Sequence, residues 1–203
     1  MCGIIGYSSE NPTEEHYNIL QKLILQSKIR GLHSFGFSYV KDGLKTVKEN
    51  NVTDIKLPMV NKLIFHNRYS TSGDYKIKKN NQPIISENNT VVFNGVLDMS
   101  SKLEMEKKYN VKMNTENDGE LLSLLCGTDK QKIKDFITTT SGSIAGMQLT
   151  DDNKLYLFRN KNRPAWILKH KNAIFIASTK DIFKRVDASY NPESVTPYEI
   201  YEL

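Results

Sequence analysis

The chain has 203 residues, 38% hydrophobic and 25% charged, which suits one globular domain with a substantial core and would leave two domains cramped. Its 28 Lys and Arg exceed its 23 Asp and Glu by only 5, and they are scattered, as at Lys76, Lys78, Lys79 and Lys102, Lys107, Lys108, so no basic stripe marks a nucleic-acid module. Two cysteines are too few for a disulfide framework, and neither a signal-peptide pattern nor a run of ~20 apolar residues is present, so a cytoplasmic chain is expected.

In chain order, Met1-Cys2-Gly3-Ile4-Ile5-Gly6-Tyr7 runs from an early thiol into a strand-like apolar pair. Asn11-Pro12-Thr13-Glu14 reads as a helix start with Asn11 as cap and Pro12 at the first helical position. The helix should run to about Ile29, with Tyr17, Leu20, Ile24 and Ser27 on one stripe and Ile19 and Leu23 beside it. Phe35 to Val40, the turn Lys41-Asp42-Gly43 and Leu44 to Lys48 predict a hairpin. Strand-like runs recur at Lys62–Phe65 and Val91–Phe93, then helix-like segments near 100–109, 118–126 and 130–139. Cys126 lies in an apolar helical run, as a buried inert thiol would. Ser143–Thr150, Lys154–Arg159, Ala165–Lys169 and Ala173–Ala177 are separated by short polar turns, which predicts an antiparallel meander. Strands at both ends with helices at the start and middle predict an antiparallel α+β domain.

Cys2 has one special property: once Met1 is removed it carries nucleophile and base in one residue, because its free α-amine, with a pKa of about 7.7–8.0, can take the thiol proton. A thiol attacking a carboxamide needs partners, and four further segments supply them in order. They are Arg30-Gly31-Leu32-His33-Ser34-Phe35-Gly36, Phe65-His66-Asn67-Arg68-Tyr69-Ser70-Thr71-Ser72-Gly73, Phe93-Asn94-Gly95-Val96 and Glu116-Asn117-Asp118-Gly119-Glu120. Each has a plainer reading. Cys2 can begin a buried strand, Asn94-Gly95 can be a hairpin turn, Arg68 can lie on the surface, and Asp118 can cap a helix.

Taken together with Met-Cys-Gly-Ile-Ile-Gly, the series resembles the class II glutamine amidotransferase domain, an N-terminal nucleophile hydrolase, over nearly the whole chain. The motifs are nearest those of the glutaminase half of glutamine phosphoribosylpyrophosphate amidotransferase. The resemblance implies a four-layer αββα sandwich of two antiparallel sheets between helices, occupying 1–203 as a single domain without a synthase domain. It implies Cys2 as nucleophile, Asn94 and Gly95 as the oxyanion hole, and Arg68, Thr71 and Asp118 as the residues that hold glutamine, with Arg30 positioning the nucleophile. Chemically, the planar fork of Arg68 suits the substrate carboxylate, Asp118 its ammonium, and an amide beside an unobstructed N–H a developing oxyanion.

Three departures stand out. The family's usual His before Asn-Gly is Phe93, its Asp in the Arg-Gly segment is His33, and the acidic residue after the late Arg is replaced in Arg159-Asn160. Gln82-Pro83 resembles the family's Gln-Pro motif. No cofactor or metal is expected, because the four histidines have no ligand-like spacing. The leading expectation is a stand-alone glutaminase subunit that passes ammonia to a separate synthetase or transferase. An amidohydrolase acting on another γ-glutamyl or small amide, and a catalytically silent binding domain of the same fold, are the alternatives. Neither nucleic acid nor membrane is an expected partner, and the glutamine site is expected to close through Ser72-Gly73-Asp74-Tyr75 or Asp42-Gly43.

Overall fold

The computed structural model describes residues 2–49, 56–69 and 73–203. The strands are β1 (Gly3–Ser9), β2 (Ser34–Val40), β3 (Leu44–Glu49), β4 (Lys62–Arg68), β5 (Ile84–Ile85), β6 (Asn89–Val96), β7 (Ser143–Thr150), β8 (Leu155–Arg159), β9 (Trp166–His170), β10 (Ala173–Ala177), β11 (Glu193–Ser194) and β12 (Ile200–Glu202). The helices are α1 (Glu14–Ser27), α2 (Lys102–Tyr109), α3 (Glu120–Cys126), α4 (Lys130–Thr139) and α5 (Lys180–Val186).

Two sheets result, one ordered β11-β9-β10-β1-β4-β2-β3 and the other β12-β8-β7-β6-β5. Every recorded strand pair is antiparallel. The period of two along each strand sorts the side chains into layers. Ile5 and Tyr7 of β1 join Leu20 and Leu23 of α1 and Phe183 of α5 on the outer face of the first sheet. Ile4 instead meets Val92 and Met147 between the sheets. Val91 and Phe93 face outward from the second sheet onto Leu122, Ile133 and Ile137 of α3 and α4. Helix, sheet, sheet and helix therefore stack in that order, the αββα sandwich that the resemblance implies.

Several local expectations change. The first helix is capped by Thr13, whose Oγ1 accepts from the His16 N–H at 3.2 Å, so it begins two residues later than Asn11-Pro12 suggests. The late strands form no single meander: β7 and β8 pair in the second sheet, whereas β9 and β10 pair in the first. The hairpin of β2 and β3 forms as expected, with Asp42 and Gly43 at φ 51° and 94° in its turn. Cys126 is buried, and burial pushes its thiol up to about 12, so it is inert as expected. Among the described residues no helix is long and apolar enough to cross a membrane.

Candidate active site

Cys2 stands one residue before β1 and shares the parity of Ile4, which turns its side chain toward the second sheet. In β4, Ile64 faces between the sheets, so His66 and Arg68 do as well; in β6, Val92 does, and so does Asn94. The ends of three strands thus deliver a thiol, a guanidinium and a carboxamide to one opening. Among the described residues Cys2, Arg68, Tyr69, Gly95, Asn117 and Asp118 line a single pocket there, together with Gln82 and Phe93. Its free volume is about 10 Å³, roughly the room of one water.

The Cys2 thiol is held reciprocally by one residue, donating to the Tyr69 carbonyl and accepting from the Tyr69 N–H, each at 3.4 Å. Burial pushes the thiol up; the Tyr69 N–H and the Arg68 charge pull the other way. Arg30 donates from Nε to the Cys2 carbonyl at 3.2 Å. With the Asn94 amide oriented to satisfy its neighbours, its nitrogen donates to that same carbonyl at 3.2 Å and its oxygen accepts from the Arg30 guanidinium at 3.2 Å. Asn94-Gly95 is not a turn. The dipeptide lies within β6, opposite Ala145 and Ile144 of β7. Glycine is needed there, since a Cβ on residue 95 would fall 1.8 Å from the Ser143 carbonyl oxygen.

Arg68 is buried at 2% exposure, so the surface reading fails. One arm of its fork donates to Asn81 Oδ1, and Nη2 donates to the Gly73 carbonyl at 3.1 Å. Burial pushes the guanidinium down, while Cys2 and Asp118 counteract that. Asp118 does not cap α3; Gly119 occupies that position without a side-chain bond. Its Oδ2 instead accepts from the Leu97 and Asp98 N–H groups at 2.6 and 3.2 Å, and burial raises its pKa against those two bonds. Glu120 reaches back to the Asn114 and Thr115 N–H groups at 2.8 and 2.7 Å, shaping the loop that presents Asp118. Thr71 lies outside the described residues, as do Met1 and Ser72.

Of the amide run Asn80-Asn81-Gln82 the sequence marks only the Gln-Pro end, yet each member is structural to this site. Asn81 holds Arg68, and the Asn80 carbonyl accepts from Asn117 Nδ2 at 2.9 Å. Gln82 Oε1 accepts from the Phe93 N–H at 2.6 Å. The departing His33 stacks between Tyr69 and Tyr75, with ring centroids 5.1 and 4.7 Å away, beside the strand end that holds the thiol. Phe93 turns its ring into the α3 and α4 cluster and so fills an apolar position.

No family model matches the chain. Among solved structures, glutamine phosphoribosylpyrophosphate amidotransferase from B. subtilis superposes with a TM-score of 0.77 at 20% identity, covering 100% of this chain and 49% of that one. This is the fold of the class II glutamine amidotransferase domain. A curated relative named 7-cyano-7-deazaguanine synthase 2, from Sulfurisphaera tokodaii, is 28% identical over all of this chain and 48% of its own length. Another, glutamine–fructose-6-phosphate aminotransferase from Oceanobacillus iheyensis, is 27% identical over 80% of this chain and 29% of its own length. The amidotransferase fold here therefore spans half or less of the curated relatives it matches.

Proposed function

We propose that the chain hydrolyses glutamine to glutamate and ammonia at Cys2, and that the ammonia passes to an acceptor enzyme of the synthetase or transferase kind. One observation supports this reading above the others: Cys2, Arg68, Gly95 and Asp118, far apart in sequence, line one pocket, with Asn94 and Arg30 on the Cys2 carbonyl. Arg68 and Asp118 together match the two charges of a free amino acid, which favours glutamine and other γ-glutamyl amides over small amides that lack those charges.

In the proposed sequence Met1 is removed and the α-amine of Cys2 takes the thiol proton. The sulfur attacks the substrate's side-chain carbonyl carbon, and the tetrahedral oxyanion is met by Asn94 and the Gly95 N–H. The C–N bond breaks, the nitrogen takes the proton back from the α-amine, ammonia leaves, and a γ-glutamyl thioester remains. Water, deprotonated by the α-amine, then breaks the C–S bond and releases glutamate and the free thiol. Arg68 binds the substrate carboxylate and Asp118 its ammonium, with Thr71 as a further contact. Arg30 acts on the nucleophile by fixing the Cys2 main chain. The acceptor centre lies outside these residues.

Incubating the purified protein with glutamine, with glutamate assayed and the intact mass measured on the same sample, tests the reading. Glutamate release by material that lacks Met1 and none by Cys2→Ala is the expected result. Full turnover by material that retains Met1 would remove the α-amine from the mechanism.

A further inference from the structure

The sheet register sets Lys48 of β3 opposite Gly36 of β2, and Gly36 opposite His66 of β4, so the three form one row facing between the sheets. Gly36 leaves room in that row for the Gln82-Pro83 segment: a Cβ there would lie 2.5 Å from the Gln82 carbonyl oxygen. At the outer end of the row, where the edges of the two sheets meet, a cleft of about 380 Å³ opens. Lys48, Lys78, Lys79, Thr46, Asn114 and Thr115 line it, and it shares no residue with the Cys2 pocket.

Three lysines line this cleft, and none of them is ion-paired with a carboxylate among the described residues. Among the described residues the Lys48 ammonium donates to the Lys78 carbonyl, at 3.4 Å. Burial, reinforced by repulsion from Arg68, pushes it down to about 8, the behaviour of a partly desolvated cation. The lysine ammoniums and the Asn114 side-chain amide are donors of the kind a tetrahedral oxyanion recruits, while the Thr46 and Thr115 hydroxyls already pair with Ser38 and Glu120.

The walls of the cleft are the reverse sides of two segments that build the glutamine pocket. The turn bearing Lys78 and Lys79 continues into Asn80 and Asn81, which hold Asn117 and Arg68. Asn114 and Thr115 lead directly into Glu116, Asn117 and Asp118, and Asn80 bonds the Glu116 main chain and side chain at 3.0 Å each.

We propose that this cleft binds a phosphate-class oxyanion, and that its occupancy tightens the two segments carrying Arg68's partner Asn81 and the Asn117-Asp118 pair. The anion site stands on its own; its effect on glutamine rests on the function proposed above. Inorganic phosphate and phosphate monoesters share the recognised group, and an ester arm separates them.

The test titrates the full-length chain with inorganic phosphate, and separately with glycerol 3-phosphate, at fixed ionic strength while following amide spectra. Saturable binding is expected, weakened about tenfold or more in Lys48→Met, retained in Lys48→Arg and unchanged in Lys45→Met. A tighter ester assigns the site to a phosphorylated metabolite and equal binding to the free ion, and either supports it. Shifts that never saturate, or that Lys45→Met weakens as much as Lys48→Met, mean an adventitious ion only and overturn the site. The Asn81 and Asn117 amides should move with phosphate occupancy, and glutamine KM should change about fivefold or more in the wild type but not in Lys48→Met. Saturable binding with both amides stationary overturns the coupling. Absence of glutamine turnover in the wild type counts against the glutaminase reading alone, because the titration and the amide shifts do not depend on it.

Discussion

At the scale of single residues, the proposed mechanism separates groups that bind from groups that react. Arg68→Lys loses the planar fork that Asn81 and Gly73 hold in place, so glutamine KM should rise with kcat little changed. Asn94→Ala should instead lower kcat by about 10²–10³, the usual cost of one oxyanion donor. A raised KM with unchanged kcat in Asn94→Ala would remove that role. His66 offers a prediction about stability. It is fully buried, neither ring nitrogen has a partner at hydrogen-bond geometry among the described residues, and burial pushes its pKa down to about 3 from the ordinary 6.5 against a weak pull from the Phe93 main chain. In that window the unfolded chain binds a proton that the folded chain refuses. Stability from this group is therefore present above about pH 6.5 and falls as the pH drops toward 3, at up to about 1.4 kcal/mol per pH unit. Denaturant unfolding between pH 7 and 5 should show that slope, and His66→Met should flatten it; an identical slope in both proteins would contradict the account.

At the scale of elements, strand parity decides which residues meet, and β6 is the clearest case. Gly95→Ala pushes a methyl into the Ser143 carbonyl, so it should destabilise the protein by about 1–3 kcal/mol as well as lower kcat. Thr13→Ala removes the α1 cap and should cost about 0.5–2 kcal/mol in unfolding, whereas Asn11→Ala should cost little. The contrast shows what was legible. Apolar runs and alternation located β1, α1, β2, β3, β4 and the late strands, because α1 buries one stripe and strands such as β1, β4 and β7 are buried on both faces. It could not choose between Asn11 and Thr13, since both are good caps and only the folded path selects one. Nor could short polar turns reveal that the chain changes sheet between β8 and β9. At the site, four of the five motif segments line one pocket and the fifth places Arg30 on the Cys2 carbonyl, and it is their joint resemblance to a family that carries the reading where single motifs favour turns and caps. Asn80 and Asn81 carry no signal of their own in the sequence, because amide-rich loops are common, their bonds to Asp74 and Tyr75 are ordinary loop contacts, and their bonds to the site reach Glu116, Asn117 and the buried Arg68.

For the whole molecule, the pocket at Cys2 is the limiting feature. A free volume of about 10 Å³ is too small for glutamine, so this arrangement is not the substrate-bound one, and the closure expected from the sequence would have to follow an opening of the pocket. If an ammonia-accepting partner favours the wider state, its presence should lower glutamine KM by about 5–150-fold, the range of typical coupling energies. Steady-state assays with and without the protein recovered by co-purification from the native host would read that shift, and a KM indifferent to it would detach the partner from the site. The central claim is the covalent role of Cys2, and acid-quenching the protein during turnover with glutamine, followed by peptide mass mapping, tests it most directly. The account predicts a γ-glutamyl adduct on the peptide that begins at Cys2, absent from Cys2→Ala; an adduct elsewhere, or undiminished glutamate release by Cys2→Ala, would contradict it.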